Sequence, residues 1–518
     1  MKKENKVGKF IKIVERVGNK LPDPFMLFGI FAICTLIISV FLSKMNIEGV
    51  MLDRTTGLQS VVRIENLLTF DKMRVILSNF PDVYINFPSL KIVLLMMIAI
   101  GIVEEVGFFD SIMRKYLLKA PKGLITLVFI FACINSNIMS DAGVILTLTL
   151  GGVVFSSIGR SPHLGIILGY AACNGGYCAS LLVSSLDALL SGITEQVIKD
   201  SGFNMLISPL SNYYFMAVAT ISLTISLTIF TEKFIMKLFP EEEIDASQLE
   251  KYKVTEIENR GLKYSFYGLM IFIFGMLVLS VPKNSFFRNN MGEFLPKSPL
   301  LSSVVSLLFI FFIIIGVSYG VGAKKIEKAK DIARLLQTGV KKCAPLLVTF
   351  LTCALFMEFL NKSNILKIIA IKMADLIKST NVGPLPLLIL VIILTALMNP
   401  FMTSASTKWV LLAPIVAPVF AMIGINPAYA QLAYRLGDSA TNIISPLHPA
   451  ITVILGLMLE YNLAKEKRTG IKQPEAGFGT IFALTLPYSI VILLTLTIQL
   501  VIWYFLNLPI GIGMGNFI

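Results

Sequence analysis

Charge is scarce in this sequence. Asp, Glu, Lys and Arg make up only 15% of its 518 residues, against about 25% in ordinary soluble domains. Histidine and tryptophan occur only twice each. Cysteine is sparse and scattered: Cys34, Cys133, Cys173, Cys178, Cys343 and Cys353 lie in or beside apolar runs, with no CxxC pair. That excludes a disulfide framework and a zinc site, and leaves the cysteines as small buried hydrophobes. There is no HExxH and no GxxxxGK[ST] pattern, so the chain offers neither a zinc-protease site nor a phosphate cradle for an ATP-driven pump.

Apolar residues are what it has. They make up 55% of the chain, and the mean hydropathy is +0.78. One water-soluble core cannot bury so much, and disordered chains are poor in apolar residues. The bilayer is the solvent. The net charge of +13 lies in short patches between apolar runs; these read as orientation signals, and no nucleic-acid partner is expected. The first 20 residues are basic and precede an apolar run long enough to span, which predicts a retained span and not a cleaved signal peptide.

A spanning helix needs roughly 20 mostly apolar residues. Such runs cover 25–43, 89–106, 163–186, 208–231, 264–281, 300–320, 343–360, 443–460 and 478–507. Two more, 123–158 and 384–423, are interrupted midway by Asn135-Ser-Asn-Ile-Met-Ser140-Asp141-Ala-Gly143 and Asn399-Pro-Phe-Met-Thr-Ser404-Ala-Ser406-Thr407. Each is either two spans or a re-entrant helical hairpin. With both as hairpins and the N-terminus inside, 29 Lys and Arg fall on inner pieces and 14 on outer ones. That asymmetry is what the positive-inside rule predicts. It places the N-terminus in the cytoplasm and the C-terminus outside, but either treatment of the interrupted stretches returns the chain to the same side.

Internal similarity adds a repeat. Asn135 and Ser140 recur 264 residues later as Asn399 and Ser404, and Ile158-Gly159-x-x-Pro162 recurs 265 later as Ile423-Gly424-x-x-Pro427. A small, polar cluster follows each proline: Cys173-Asn174-Gly175-Gly176, then Gly437-Asp438-Ser439-Ala440-Thr441-Asn442. The charge count gives the two units opposite orientations, and an inverted repeat is the signature of a secondary transporter. The resulting division is a cytoplasmic segment 1–24, a first span with outer loop 25–88, a first unit 89–207, scaffold spans 208–342 with an inner loop 232–263, a second unit 343–460, and a last loop and span 461–518. The units hold hairpins at 123–158 and 384–423 and broken helices at 163–186 and 427–460.

Polar clusters that break helices at mid-membrane expose backbone groups, which are tolerated only inside protein or along a wet cavity. Opposed half-helix ends offer carbonyls to a cation and N–H groups to an anion. This marks Asn135, Ser140, Asp141, Asn174, Asn399, Ser404 and Asn442 as pathway candidates, with a possible sodium site near Asn135, Asn399 and Asp438. Arg435 and Asp438, three apart on one helical face, are placed to neutralise each other; the arginine fork suits a substrate carboxylate. Asp187 is a further acidic candidate. Trp409 reads equally as an aromatic platform or an interfacial anchor. His163 and His448, beside prolines, read as structural. Gly316-Val-Ser-Tyr-Gly320 matches GxSxG, but ends a spanning run and lacks the strand–turn–helix setting of a nucleophile elbow.

Three stretches carry a resemblance: Glu15-Arg-Val-Gly-Asn-Lys-Leu-Pro-Asp-Pro24, Ser140-Asp-Ala-Gly143 and Tyr434-Arg-Leu-Gly-Asp-Ser-Ala-Thr-Asn442. The chain resembles the p-aminobenzoyl-glutamate transporter (AbgT) family almost end to end. The resemblance implies an all-α integral membrane protein, ion-transporter-superfamily-like, with about nine transmembrane helices, two re-entrant helical hairpins and an inverted repeat with broken helices. It further implies a homodimer in the bacterial inner membrane, with a scaffold-like core and a transport core and no cofactor. Uptake of p-aminobenzoyl-glutamate or export of sulfonamide antimetabolites, coupled to sodium or protons, is the implied activity. Residue by residue it points to Asp187, Ser406, Trp409, Pro427, Arg435, Asp438 and Pro446. Ala188 departs from the family's pattern, where a proline is expected. A membrane-embedded hydrolase using Asp141, Asp187 or Asp438 would leave the repeat unexplained; a passive channel, in which broken helices also occur, would give linear and not saturable flux.

Overall fold

The computed structural model describes residues 22–52, 59–245, 249–282, 285–294, 298–380, 382–473, 476–515 and 517. Most of the segment expected over 1–24, and most of its Glu15–Pro24 motif, lie outside the described residues. The first helix, α1 (Pro24–Lys44), starts where Asp23 caps the N–H of Phe25 at 2.9 Å and Pro24 fixes the first turn. A two-stranded antiparallel hairpin follows, β1 (Glu48–Leu52) and β2 (Gln59–Arg63), then α2 (Phe70–Ile85). The expectation of purely helical structure missed this hairpin. Its strands are too short to span a bilayer, and Val50, Val61 and Val62 suit a pleated surface.

The first unit runs through α3 (Pro88–Glu105), α4 (Phe108–Leu117), α5 (Ile125–Asn135), a 3₁₀ turn at Ser136–Met139, α6 (Ser140–Ser156), α7 (Pro162–Gly175) and α8 (Ser185–Asp200). Next come α9 (Tyr213–Phe230), α10 (Glu256–Ser280) and α11 (Val304–Gly322). The second unit is α12 (Ala329–Lys362), α13 (Ile365–Thr380), α14 (Pro384–Met398), α15 (Ala405–Met422), α16 (Pro427–Asn442) and α17 (Ala450–Thr469), and α18 (Phe478–Phe505) closes the chain. Among the described residues, nine helical stretches are long and apolar enough to cross a membrane.

Seven of those nine fall on expected runs, and the other two lie on the interrupted stretches; 163–186 and 443–460 are not among them. The run 163–186 is no single span: α7 stops at Gly175 and α8 starts at Ser185. The expected outer piece 187–207 is instead largely α8, whose Ser191, Thr194 and Asp187 are buried. The second broken helix likewise consists of α16 and α17, and α17 continues to Thr469, beyond the expected end at 460. Polar side chains made α8 look like a loop, yet it satisfies them inside the protein; the added end of α17 is charged and exposed at Lys467 and Arg468.

Lys122–Ser156 is long enough to be one span, but it folds back on itself. Arg160 Nη1 donates to Thr126 Oγ1 at 2.6 Å, and Glu232 joins both, so the two ends of the stretch meet. Ser140, at φ +49°, makes the bend. In the second unit α14 runs alongside α16 in the same direction, Ile392 lying against Gly437 and Asn399 against Asp438 and Asn442. α15 returns along them into α16 through Gly424, at φ +86°. Gly159, at φ +79°, makes the matching corner in the first unit. Gly159 O accepts from Glu242 N at 3.0 Å, near the Lys465 end of the molecule. The residue after Gly424, Ile425, bridges to Phe517, beyond the far end of α18. The two corners therefore lie at opposite ends of the molecule.

α3 and α12, the opening helices of the two units, cross at Gly101 and Gly339, where a Cβ on Gly101 would lie 2.7 Å from the facing Cα. α10 and α11 pack on each other, and α11 packs on α3. Both arms of each hairpin pack instead on the broken helix that follows them. The GxSxG stretch lies within α11, which excludes a nucleophile elbow there.

Candidate functional site

A cavity of about 650 Å³ opens between the two hairpin bends and the two helix breaks. This is the size of a site for a drug-sized ligand. The first bend contributes Asn137, Ser140 and Asp141, and the first break Asn174, Tyr177, Ser184 and Ser185. Thr403, Ser404 and Ser406 come from the second bend, and Asn442 and His448 from the second break. No Lys or Arg is among the lining residues.

Four helices begin at this cavity. α6 starts at Ser140, α8 at Ser185, α15 at Ala405 and α17 at Ala450, and all four residues line it. Each N-terminus presents unpaired N–H groups and the positive end of a helix dipole. Several are held in place by caps. Ser184 accepts from Asp187 N, while Asp187 Oδ2 accepts from Ser184 N at 2.6 Å and from Ser184 Oγ at 2.8 Å, a reciprocal capping box. Ser404 Oγ accepts from Thr407 N at 3.3 Å, and His448 Nδ1 from Ala450 N at 3.2 Å. The arrangement suits a ligand carrying negative charge at more than one point. Asp141 is the one carboxylate in the lining.

The buried charges pair differently from their sequence spacing. Arg435 Nη1 lies 2.6 Å from Asp187 Oδ1, and Arg435 Nη2 donates to Tyr177 O at 3.3 Å. Asp438 forms its ion pair with Lys408 of α15. The expected Arg435–Asp438 neutralisation is thus replaced by two pairs that tie α16 to α8 and to α15. None of these four residues lines the cavity. Arg435 stands behind its wall, holding the first break through the Tyr177 carbonyl.

Trp409 lies outside the cavity lining and away from the protein surface. It is fully buried, its ring 4.7 Å from that of Tyr434, and its Nε1–H donates to Thr194 Oγ1 at 3.0 Å. Pro427 opens α16 behind the Asn426 cap, Pro446 lies in the second break, and neither lines the cavity. The repeat-related asparagines act as pins. Asn135 Oδ1 accepts from Leu181 N at 3.0 Å in the first break. Asn399 Nδ2 donates to Asp438 O at 2.6 Å and to Thr441 Oγ1 and Asn442 Oδ1 at 3.0 Å each.

The residues expected around sodium do not fit one. Asn135 is engaged in the other unit, and Lys408 Nζ contacts both Asn399 Oδ1 and Asp438 Oδ1.

Residues 9–518 match the AbgT putative transporter family. The chain belongs to the AbgT transporter family. It is a multi-pass membrane transporter acting on small molecules, not an enzyme. It is 29% identical over 507 residues to the p-aminobenzoyl-glutamate transport protein of Escherichia coli (strain K12), covering 98% of this chain and 97% of that protein. The YdaH transporter of Alcanivorax borkumensis superposes with a TM-score of 0.84 at 28% identity, over 95% of this chain and 100% of that one. MtrF of Neisseria gonorrhoeae, described as illuminating a class of antimetabolite efflux pumps, gives 0.86 at 29% identity, over 95% and 97%.

Within this AbgT-family chain, six candidates read from the sequence line the cavity: Ser140, Asp141, Asn174, Ser404, Ser406 and Asn442. Asn137, Tyr177, Ser184 and His448 were missed. Asn137 stands between the quoted Asn135 and Ser140, but its repeat partner is Phe401, so the repeat did not select it. His448 sits two residues before the start of α17, and its cap becomes legible only once that helix start is known.

Proposed function

We propose that this AbgT-family member is a secondary active transporter of p-aminobenzoyl-glutamate or a close aromatic dicarboxylate, driven by a sodium or proton gradient. The four helix N-termini on one cavity carry this reading, because they offer polarised N–H groups to two carboxylates at once. Tyr177 and His448 in the lining give an aryl ring a partner. The Escherichia coli relative transports the same compound by name. Both hairpins are read as re-entrant, with their bends at mid-membrane, and the protein as a homodimer in the bacterial inner membrane. The N-terminus is cytoplasmic and the C-terminus outside, as the charge asymmetry supports.

A second reading, export of sulfonamide antimetabolites, is favoured by the description of the gonococcal relative. Accumulation of labelled p-aminobenzoyl-glutamate by cells expressing the chain, with and without a sodium gradient, separates the two. Saturable accumulation supports import; no accumulation together with sulfonamide resistance supports export.

A further inference from the structure

Lys408 is fully buried, and its ammonium sits between Asn399 Oδ1 on the second hairpin and Asp438 Oδ1 on α16. The other oxygens at this place already accept hydrogen bonds. Asp438 O, Thr441 Oγ1 and Asn442 Oδ1 all receive the Asn399 amide N–H groups. The charges balance as well. Lys408 and Arg435 supply two positive charges, paired with Asp438 and Asp187. A sodium ion added here would leave an uncompensated positive charge away from water, which is costly.

The other unit supplies a comparison within the same chain. Val144 stands 264 residues before Lys408, and Cys173 stands 265 before Asp438. There the cluster is neutral, Cys173 lying 3.3 Å from Ser136 Oγ and 3.4 Å from Asn137 Oδ1. A charged cluster thus exists at this place in only one of two equivalent units, and its cation is a side chain.

We propose that the Lys408 ammonium is a tethered cation standing in the position a coupling sodium ion would take between Asn399 and Asp438, so that this place binds no sodium while Lys408 is present. The proposal rests on the transport reading for its relevance to coupling. Its test reads ion binding alone, so the two fail separately. Lys408 also makes a mechanical link: hairpin and broken helix separate only if this pair opens.

The experiment uses the full-length purified protein. Binding of radiolabelled sodium and the melting temperature in sodium chloride against choline chloride, at equal ionic strength, are measured for the wild type, Asp438→Asn, Lys408→Gln and Lys408→Gln/Asp438→Asn. The wild type and Asp438→Asn should show the same sodium response. Lys408→Gln exposes Asp438 and Asn399 Oδ1 to a free cation. It should gain one sodium per chain and a sodium-specific rise of at least about 3 °C, both lost in the double variant. Lys408→Met, which removes the same charge, should behave likewise, and either variant surviving purification only in sodium supports the proposal. Sodium binding by the wild type that disappears in Asp438→Asn would overturn it, as would folded Lys408→Gln and Lys408→Met with no Asp438-dependent gain.

Discussion

Arg435 on α16 is paired with Asp187 on α8, at 2.6 Å, and not with Asp438 one turn along its own helix. Asp187 uses its second oxygen to cap α8. One carboxylate therefore fixes both the N-terminus of a half-helix at the cavity and the arginine behind it. Removing either partner leaves a buried charge alone.

Asp187→Asn or Arg435→Gln alone should each destabilise the folded protein by about 3–5 kcal/mol. The double variant Asp187→Asn/Arg435→Gln should recover about 1–3 kcal/mol of the summed loss. Arg435→Gln/Asp438→Asn should show no recovery, because it strands Asp187 and Lys408 together. Thermal unfolding in detergent, followed by fluorescence-detected size exclusion, reads both comparisons. Recovery in the second pair but not the first would contradict the pairing.

A crossing of glycines sets the spacing of α6 and α7. A Cβ on Gly165 would lie 2.0 Å from Gly151 O, so no side chain fits unless the helices move apart. Gly165→Val should cost at least about 2 kcal/mol and reduce folded protein in the membrane. Gly123→Ala, at a place where a Cβ meets nothing within 4 Å, should be indistinguishable from the wild type in the same measurement.

The role of Trp409 separates substrate contact from packing. Trp409→Phe keeps a ring against Tyr434 but removes the donor to Thr194, and should cost about 1 kcal/mol of stability. KM for p-aminobenzoyl-glutamate should stay within about twofold, since the ring does not line the cavity. Tyr177→Leu, in the lining, should raise KM several-fold at unchanged stability. A KM that rises with Trp409→Phe and not with Tyr177→Leu would place the substrate elsewhere.

The span architecture and the paired interruptions were legible because a bilayer forces long apolar runs and allows polar backbone only at protected breaks. The matched corners Gly159 and Gly424 followed from the repeat. Side-chain partnership was not legible. Spacing of three on a helix suggested Arg435 with Asp438, but both side chains reach to other helices whose approach is set by tertiary packing. α8 was hidden for a similar reason. Its Ser184, Asp187, Ser191 and Thr194 make it look solvated, yet they are satisfied by a capping box, backbone carbonyls and Gln431. The strands at 48–52 and 59–63 were hidden because Glu48-Gly-Val-Met-Leu52 and Gln59-Ser-Val-Val-Arg63 are short and do not alternate apolar with polar residues.

Recognition of a dicarboxylate by the cavity ringed by four helix N-termini is decided by equilibrium binding of p-aminobenzoyl-glutamate and of its neutral diamide to the purified protein, by calorimetry. The dicarboxylate should bind saturably, the diamide at least about 100-fold more weakly, and binding should be lost in Ser406→Trp, which fills the cavity from the second bend. Equal affinity for both compounds, or undiminished binding by folded Ser406→Trp, would contradict it.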